Sequence, residues 1–369
     1  MIECLDLISD LGRTGRRQIE SDAIIGAFQG ARPLAPRGVG DFVRPSGVKL
    51  RRGFGGAANH PLEQIRIRSE NSMTAGCEMA GKPQTRTQAR TSESAPVVML
   101  IHGMWSRPHV WDGFRAFFED RGYRVIIPTL RHHDMEPGGI PHPELADASL
   151  AHYAADIARE IGKLGCKPLV IGHSMGGTLA QMLAARGLVR AAVGLAPAQI
   201  AGTMNLDLRS MWIFRREFTS WGFWRQPHLP SFEAMRYGIL NGMPESEAEQ
   251  LYEKLIPESG RALLEIGWWF IDGQRTTWIN PQDVCCPMLF LTGEKDLLTP
   301  LRVTHRIAEF YEGRVPVEGL PQRGHWLPAE PGWEALAARA ATFFETEAPE
   351  MARRMAIRSA TLAPALVNA

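Results

Sequence analysis

The sequence lacks the features that mark secreted, zinc-clustered or membrane-spanning proteins. It has five cysteines with no C-x-x-C spacing, which indicates neither a disulfide framework nor a zinc pattern. No apolar run approaches the roughly 18 residues of a membrane span, and no secretory signal is evident at the N-terminus. A net charge of +1 provides no general field for nucleic acid or an anionic membrane. These absences predict a cytoplasmic protein that does not bind nucleic acid.

Residues 1–95 differ in character from the rest of the chain. They are rich in glycine and arginine, and they show little apolar periodicity. Stretches such as Lys82–Ser94 cannot bury enough surface to offset the entropy lost on ordering them. We therefore expect residues 1–95 to be a disordered extension, or one that precedes the true translation start. Residues 347–369 are expected to form a C-terminal tail.

From Pro96 onward, short apolar runs alternate with amphipathic helical patterns. The predicted strands are Pro96–Ile101, Arg124–Ile127, Pro168–Ile171, Ala191–Leu195, Pro287–Leu291 and Val315–Val317. The predicted helices between and after them are Trp111–Arg121, Leu150–Leu164, Met175–Arg186, Pro300–Tyr311 and Trp333–Glu345. Strands this apolar are typical of a parallel sheet buried on both faces. The pattern predicts an α/β fold with an open, mainly parallel sheet flanked by helices.

One long segment interrupts this alternation. Residues 198–283 carry six of the ten tryptophans and two helical patterns, Glu245–Leu255 and Gly260–Ile271. We interpret this segment as a helical cap, inserted into a core made of residues 96–197 and 284–346.

The strongest chemical signal is the sequence Gly-His-Ser-Met-Gly-Gly at residues 172–177, between a predicted strand and a predicted helix. This is G-x-S-x-G in the setting where it forms a sharp turn that exposes the serine hydroxyl above the sheet. Side chains at Gly172 and Gly176 would collide with neighbouring turns, which explains the glycines. Ser174 is therefore the predicted nucleophile.

A serine hydroxyl needs a base, and the base needs an orienting acid. Asp296 lies in the loop that leaves the strand Pro287–Leu291, and His325 follows the last predicted strand in a polar loop. We predict His325 as the general base and Asp296 as its partner. Glu294 and Asp283 are the competing acids.

The first predicted strand leads into His102-Gly103-Met104-Trp105. A glycine turn there exposes backbone N–H groups at the same end of the sheet as the nucleophile. The amides of Met104 and Met175 are the natural pair to bind an oxyanion. We assign His102 a structural hydrogen bond to this loop.

These motifs, in this order, resemble the α/β-hydrolase superfamily, and in particular its short bacterial serine esterase and lipase-like members. The likeness covers about residues 96–346. It implies Ser174 as nucleophile, Asp296 as acid, His325 as base, and the Met104 and Met175 amides as oxyanion donors. The antiparallel hairpin that usually opens this fold is not evident. The segments HGMWSRPHVW and PTLRHHD also resemble plant esterases and hydroxynitrile lyases locally.

The leading hypothesis is a serine hydrolase that cleaves a hydrophobic carboxylic ester, without a metal or an organic cofactor. Alternatives that use the same three residues are a hydroxynitrile-lyase-like C–C lyase, an acyltransferase and a perhydrolase, because one fold hosts many reactions. A non-catalytic ligand receptor is the alternative from another class. The only partner predicted is a small-molecule ester, and the sequence predicts no oligomeric state.

Side chains around the predicted site complete the sequence-based assignments. The residues expected to contact substrate are Trp105, His173, Trp221 and Trp224. The group His132, His133, Asp134 and His142 resembles a metal sphere, but its Pro- and Gly-rich loop has no regular spacing. We favour a loop that borders the pocket, and we expect the arginines near Trp212 to lie on the cap surface.

Overall fold

A computed structural model describes residues 95–205 and 207–350 together with Arg353. The predictions for residues 1–95 therefore lie outside the described residues except at residue 95, and so do most of those for the tail. Within the described part of the chain, no helix is long and apolar enough to cross a membrane.

Among the residues that the structure describes, six parallel strands form the central sheet, and two further strands form a small antiparallel ribbon. The strands are β1 (Val97–Ile101), β2 (Arg124–Ile126), β3 (Leu169–His173), β4 (Ala191–Leu195), β5 (Pro227–His228), β6 (Glu258–Ser259), β7 (Met288–Gly293) and β8 (Val317–Leu320). The order across the sheet is β2-β1-β3-β4-β7-β8, and every neighbouring pair is parallel. The predicted fold class is confirmed. All carboxyl ends consequently meet at one edge, which is where the predicted site residues follow their strands.

Helices cover the sheet and build the inserted segment. They are α1 (Asp112–Glu119), α2 (Leu150–Gly162), α3 (Met175–Ala185), α4 (Leu208–Ile213), α5 (Arg215–Thr219), α6 (Phe232–Gly238), α7 (Glu245–Tyr252), α8 (Gly260–Gly267), α9 (Leu301–Phe310) and α10 (Trp333–Thr342). Gly122 and Gly187 adopt the left-handed backbone expected just after helix ends. Helix α3 buries ten of its eleven residues, because it runs from the Ser174 turn directly into the core.

The segment between β4 and β7 contains α4 to α8, and it also contains the β5–β6 ribbon. In the ribbon, Pro227 pairs with Ser259 and His228 pairs with Glu258. The sequence predicted only helices here. Two-residue strands carry no alternation that a sequence pattern can reveal, so the ribbon was not foreseen.

Buried polar contacts attach this cap to the core. The Trp105 indole N–H donates to the His228 carbonyl at 3.0 Å, and the Ile256 N–H donates to the Trp105 carbonyl at 3.0 Å. The Glu265 carboxylate accepts the Leu150 N–H at 2.8 Å, where α2 begins. The cap is therefore held beside the carboxyl edge of the sheet by directional bonds as well as by apolar packing.

Candidate active site

Ser174 occupies a strained turn between β3 and α3. Its φ of 52° and ψ of −118° lie in a region that non-glycine residues rarely adopt. Its N–H donates to the Leu195 carbonyl at 2.9 Å, and its own carbonyl accepts from Gly177 at 2.8 Å. Ser174 is 5% exposed. The turn thus fixes Ser174 at the sheet edge, where only a small part of the residue is accessible to solvent.

Two glycines make this turn possible. A methyl group on Gly172 would lie 2.2 Å from the Gly176 carbonyl oxygen, and one on Gly176 would lie 2.1 Å from the Ile101 carbonyl oxygen. Both distances are far inside van der Waals contact, so β1, β3 and α3 meet too closely for any side chain. This is the collision that the motif predicted.

His325 and Asp296 form a buried hydrogen-bonded pair. The His325 Nδ1–H donates to Asp296 Oδ2 at 2.7 Å, and both side chains are almost inaccessible to solvent. With the proton on Nδ1, the lone pair of the imidazole is on Nε2, as a general base requires. Of the three acids that the sequence offered, Asp296 is the one in contact with His325.

Asp296 is itself held by the loop that follows β7. Its Oδ1 accepts the N–H groups of Leu298 and Thr299, each at 2.8 Å. The Thr299 hydroxyl donates to Asp296 Oδ2 at 2.8 Å and lies 3.2 Å from His325 Nδ1. Sequence reasoning missed Thr299. Its position three residues after an aspartate is the local signal for such a side-chain-to-backbone turn.

The oxyanion candidates also reach the serine. A methyl group on Gly103 would lie 3.0 Å from Ser174 Cβ, so the loop after β1 passes directly beside Ser174. The Met104 N–H has no acceptor among the described residues. The Met175 N–H belongs to the first turn of α3, where amides have no intrahelical acceptor. Both amides are available to a ligand at this edge.

His173 links the two loops of the site. Its Nε2–H donates to the His325 carbonyl at 2.8 Å, and the two rings lie 5.0 Å apart. Burial lowers the pKa of His173 to about 3, so the ring is neutral. We predicted substrate contact for this residue, whereas its buried bond to the His325 backbone supports a structural role. Within the described residues Ser174 and His325 make no direct hydrogen bond, and such contacts often tighten only when substrate binds.

His102 behaves as the sequence analysis proposed. Its Nδ1–H donates to the Gly103 carbonyl at 2.9 Å, and burial lowers its pKa to about 3. The neutral ring therefore supports the loop after β1, beside the candidate oxyanion amides.

The three tryptophans assigned to substrate contact lie in different surroundings. Trp105 is buried, has a left-handed backbone and packs against Phe214. Trp224 packs edge-on against Phe223 and Trp221. Trp221 itself is 91% exposed, which does not support its assignment to an enclosed pocket wall. The sequence does not show which cap tryptophans are exposed and which face inward, because tryptophans occur along the whole segment.

The histidines of the loop after β2 separate into two groups. His133 is buried and contacts Glu258 of β6 at 3.0 Å. His132, His142 and Glu144 bring their donor atoms within 4.8 Å of one another. The rings of His132 and His142 stack face to face, with centroids 4.0 Å apart and planes 12° from parallel. One ion cannot lie in both ring planes in that arrangement, so we assign these residues no metal.

The chain is similar to proteins that are described as hydrolases and esterases. A pyrethroid hydrolase from Sphingobium wenxiniae is 26% identical over 279 residues, which cover 73% of this chain and 94% of that one. Human protein phosphatase methylesterase 1 is 29% identical over 203 residues, 51% of this chain and 49% of that one. A crystal structure of a pyrethroid hydrolase superposes with a TM-score of 0.52 at 20% identity, covering 69% of this chain and all of the other. At that identity the superposition shows the fold alone.

A family model extends this likeness across the whole sheet. The model described as "Alpha/beta hydrolase family" matches residues 98–339, which run from β1 into α10. The matched range includes the Ser174 turn and the loops that carry Asp296 and His325. It spans more than half of the sequence, and the chain belongs to the alpha/beta hydrolase family.

Proposed function

We propose that the chain is a serine hydrolase that cleaves a hydrophobic carboxylic ester through an acyl-enzyme. One observation carries this proposal. The buried 2.7 Å hydrogen bond between His325 and Asp296 lies at the same sheet edge as the strained Ser174 turn. A nucleophile, a base with its lone pair on Nε2 and an orienting acid are the three groups that acyl transfer needs.

The first half-reaction acylates Ser174. The Ser174 hydroxyl oxygen attacks the ester carbonyl carbon while His325 Nε2 takes the hydroxyl proton. Asp296 keeps the imidazole oriented and stabilises the imidazolium. The carbonyl oxygen becomes an oxyanion that accepts the Met104 and Met175 N–H groups, each worth about 3 kcal/mol. The tetrahedral intermediate then expels the alkoxide, which receives the proton from His325.

Deacylation repeats the cycle with water. His325 removes a proton from a water molecule, and the hydroxide adds to the acyl carbon. The intermediate collapses, Ser174 regains its proton from His325, and the carboxylic acid leaves. Names of relatives support this chemistry, since one is a hydrolase and the other a methylesterase. Apart from the ester and the water molecule, these steps use only groups of this chain.

Substitution of the three residues tests the proposal. Ser174→Ala and His325→Ala are each expected to lower kcat for p-nitrophenyl esters by at least about 10⁴-fold, because the triad acts as one unit. Asp296→Asn is expected to lower kcat by up to about 10⁴-fold through a misdirected imidazole. Circular dichroism checks that each variant folds. His305→Ala, which changes an exposed histidine of α9, is the matched control and should keep full activity.

A fluorophosphonate probe gives a second readout that needs no substrate. The wild-type protein should be labelled at Ser174, whereas Ser174→Ala should not be labelled. Retention of most ester hydrolysis by Ser174→Ala would show that another group is the nucleophile. Absence of labelling in the folded wild-type protein would favour a non-catalytic receptor.

A further inference from the structure

Glu330 is a buried carboxylate in the turn that follows His325. It is 1% exposed. Its Oε2 accepts the Gly324 N–H at 2.9 Å, and its Oε1 accepts the Trp326 N–H at 3.1 Å. These two amides belong to the residues on either side of His325. Both oxygens of one side chain therefore hold the backbone that carries the imidazole.

Glu330 has no ion-pair partner within 4 Å in the described part of the chain. Arg323 is the nearby cation, but its guanidinium donates to the carbonyls of Pro331 and Gly332. The pKa of Glu330 is raised, mainly by burial and also by the negative charge of Asp296. The hydrogen bond from the Gly324 N–H and the charges of Arg323 and His325 act in the opposite direction. A buried carboxylate without a salt bridge is costly to the fold. Glu330 holds the amides on either side of His325, so this energetic cost is compatible with a functional role at the site.

The cap packs against the same carboxylate. A methyl group on Gly242 would lie 2.3 Å from Glu330 Oε1, and one on Gly324 would lie 2.8 Å from it. The neighbouring Asn241 donates from its side-chain amide to the Lys295 carbonyl at 2.8 Å, one residue before Asp296. One turn of the cap thus touches the loop of the proposed acid and the loop of the proposed base.

We propose that Glu330 is a positioning residue for His325. Its two hydrogen bonds fix the loop that carries the imidazole, and its negative charge favours the imidazolium that forms while Ser174 attacks. This inference rests on the proposed function, because it assigns His325 the role of general base. Glu330 acts through His325 and does not touch the reacting atoms.

Two substitutions separate the charge of Glu330 from its hydrogen bonds. Glu330→Gln keeps the size of the side chain but removes the charge and one acceptor. We expect kcat to fall about tenfold to a hundredfold, as for a catalytic group displaced by a fraction of an ångström, with KM changed by less than about twofold. The acid limb of kcat/KM should move to lower pH, because the imidazolium loses a stabilising anion.

Glu330→Asp keeps the charge but is one methylene too short to reach both amides. It should lower kcat while leaving the acid limb near its wild-type position. Glu334→Gln, which neutralises an exposed carboxylate at the start of α10, is the matched control and should change neither quantity. Wild-type kcat and an unmoved acid limb in Glu330→Gln would overturn the inference. A lower melting temperature with an unmoved acid limb would also overturn it, since that result means a structural role only.

A measurement without turnover distinguishes failure of this inference from failure of the proposed function. The imidazole of His325 can be titrated by ¹⁵N NMR in the wild-type protein and in Glu330→Gln. We expect the imidazole to bind its proton less tightly in the variant, because a nearby negative charge has been removed. Identical titrations would overturn the inference even if ester hydrolysis were established. A displaced titration would support it even if the wild-type protein cleaved no ester.

Discussion

At the scale of single residues, the candidate site depends on close backbone contacts at two glycines, where a side chain would not fit. The Ser174 turn has its unusual backbone because Gly172 and Gly176 allow β1, β3 and α3 to meet at atomic contact. Strain of this kind persists only where the surrounding structure over-determines the conformation. The reactive position is therefore a property of the packed core and not of the local sequence alone.

This dependence predicts the effect of one added methyl group. Gly176→Ala places a Cβ about 2 Å from the Ile101 carbonyl oxygen, and the backbone there cannot yield without separating β1 from α3. We expect the free energy of unfolding to fall by about 3 kcal/mol or more, and activity to be lost.

Urea denaturation measures the effect, with Gly162→Ala at the end of α2 as the matched control. No atom lies within 4 Å of a methyl group at Gly162, and alanine is the better helix former by up to about 1 kcal/mol. That variant should be as stable as the wild-type protein or slightly more stable. Equal stability of the Gly176→Ala and Gly162→Ala variants would contradict this account of the turn.

Some residues of the candidate site can be assigned from their neighbours in the sequence, whereas others are defined by contacts that form only on folding. The position of Ser174 is encoded by its own neighbours, and Asp296 follows from the loop after an apolar strand. Thr299 and Glu330 act through hydrogen bonds that form only in the folded chain. The spacing of Thr299 after Asp296 is a local signal for its turn, whereas no spacing rule singles out Glu330. The exposure of Trp221 depends on how the cap packs, which an aromatic segment does not specify.

At the scale of elements, apolar runs located the sheet well. Ala191–Leu195 was predicted with its observed limits, and four other strands differ by one or two residues at their ends. The predicted strand Val315–Val317 shares only Val317 with β8. Fully buried parallel strands are continuous apolar runs, so their centres are unambiguous and their ends are not. The ribbon was missed because β5 and β6 are two residues long and are far apart in the sequence.

A buried ion pair joins that ribbon to the core. The His133 Nε2–H donates to Glu258 Oε2 at 3.0 Å, its Nδ1–H donates to the Arg131 carbonyl, and the Tyr153 hydroxyl donates to Glu258 Oε1 at 2.8 Å. Burial lowers the pKa of His133, but the charge of Glu258 and its hydrogen bond more than offset this, and the net pKa is raised. The protonated ring therefore stabilises the attachment of the cap.

The sign of this shift predicts how stability depends on pH. A folded-state pKa above the unfolded value means that the stabilisation is complete below about pH 6.5 and is lost as pH rises through the folded value. We expect the free energy of unfolding to decrease from about pH 6.5 upward, and this decrease to be smaller in His133→Gln. Urea denaturation at several pH values measures it. His305→Gln should keep the wild-type slope, and a wild-type slope in His133→Gln would refute the assignment.

At the scale of the whole molecule, the cap combines aromatic side chains with an arginine, Arg215, that already has partners. The Arg215 guanidinium lies 3.6 Å above the Trp212 ring, donates to the Trp212 carbonyl and contacts Glu233 at 3.3 Å. An arginine engaged in this way is poorly placed to neutralise a second anion. An aromatic surface on which this arginine is already engaged favours uncharged, apolar ligands.

This composition predicts the preference among esters. Along a series of neutral p-nitrophenyl acyl esters, kcat/KM should rise by up to about fourfold per methylene, since burial of each is worth about 0.8 kcal/mol. Analogues that carry a carboxylate should react more slowly, because their charge would lose its hydration against aromatic side chains. Steady-state kinetics across both series measures the preference. A higher kcat/KM for the charged series would make a cap arginine a substrate ligand.

The turn at Asn241 and Gly242 has a consequence for how this enzyme can diversify. A cap is ordinarily the part of such a scaffold that can be rebuilt for a new substrate while the reactive machinery stays unchanged. Here the same turn rests on Glu330 and on the loop of Asp296. Substitutions in it will alter turnover together with substrate range, so new specificities are more freely reached through the cap helices that lie away from this turn.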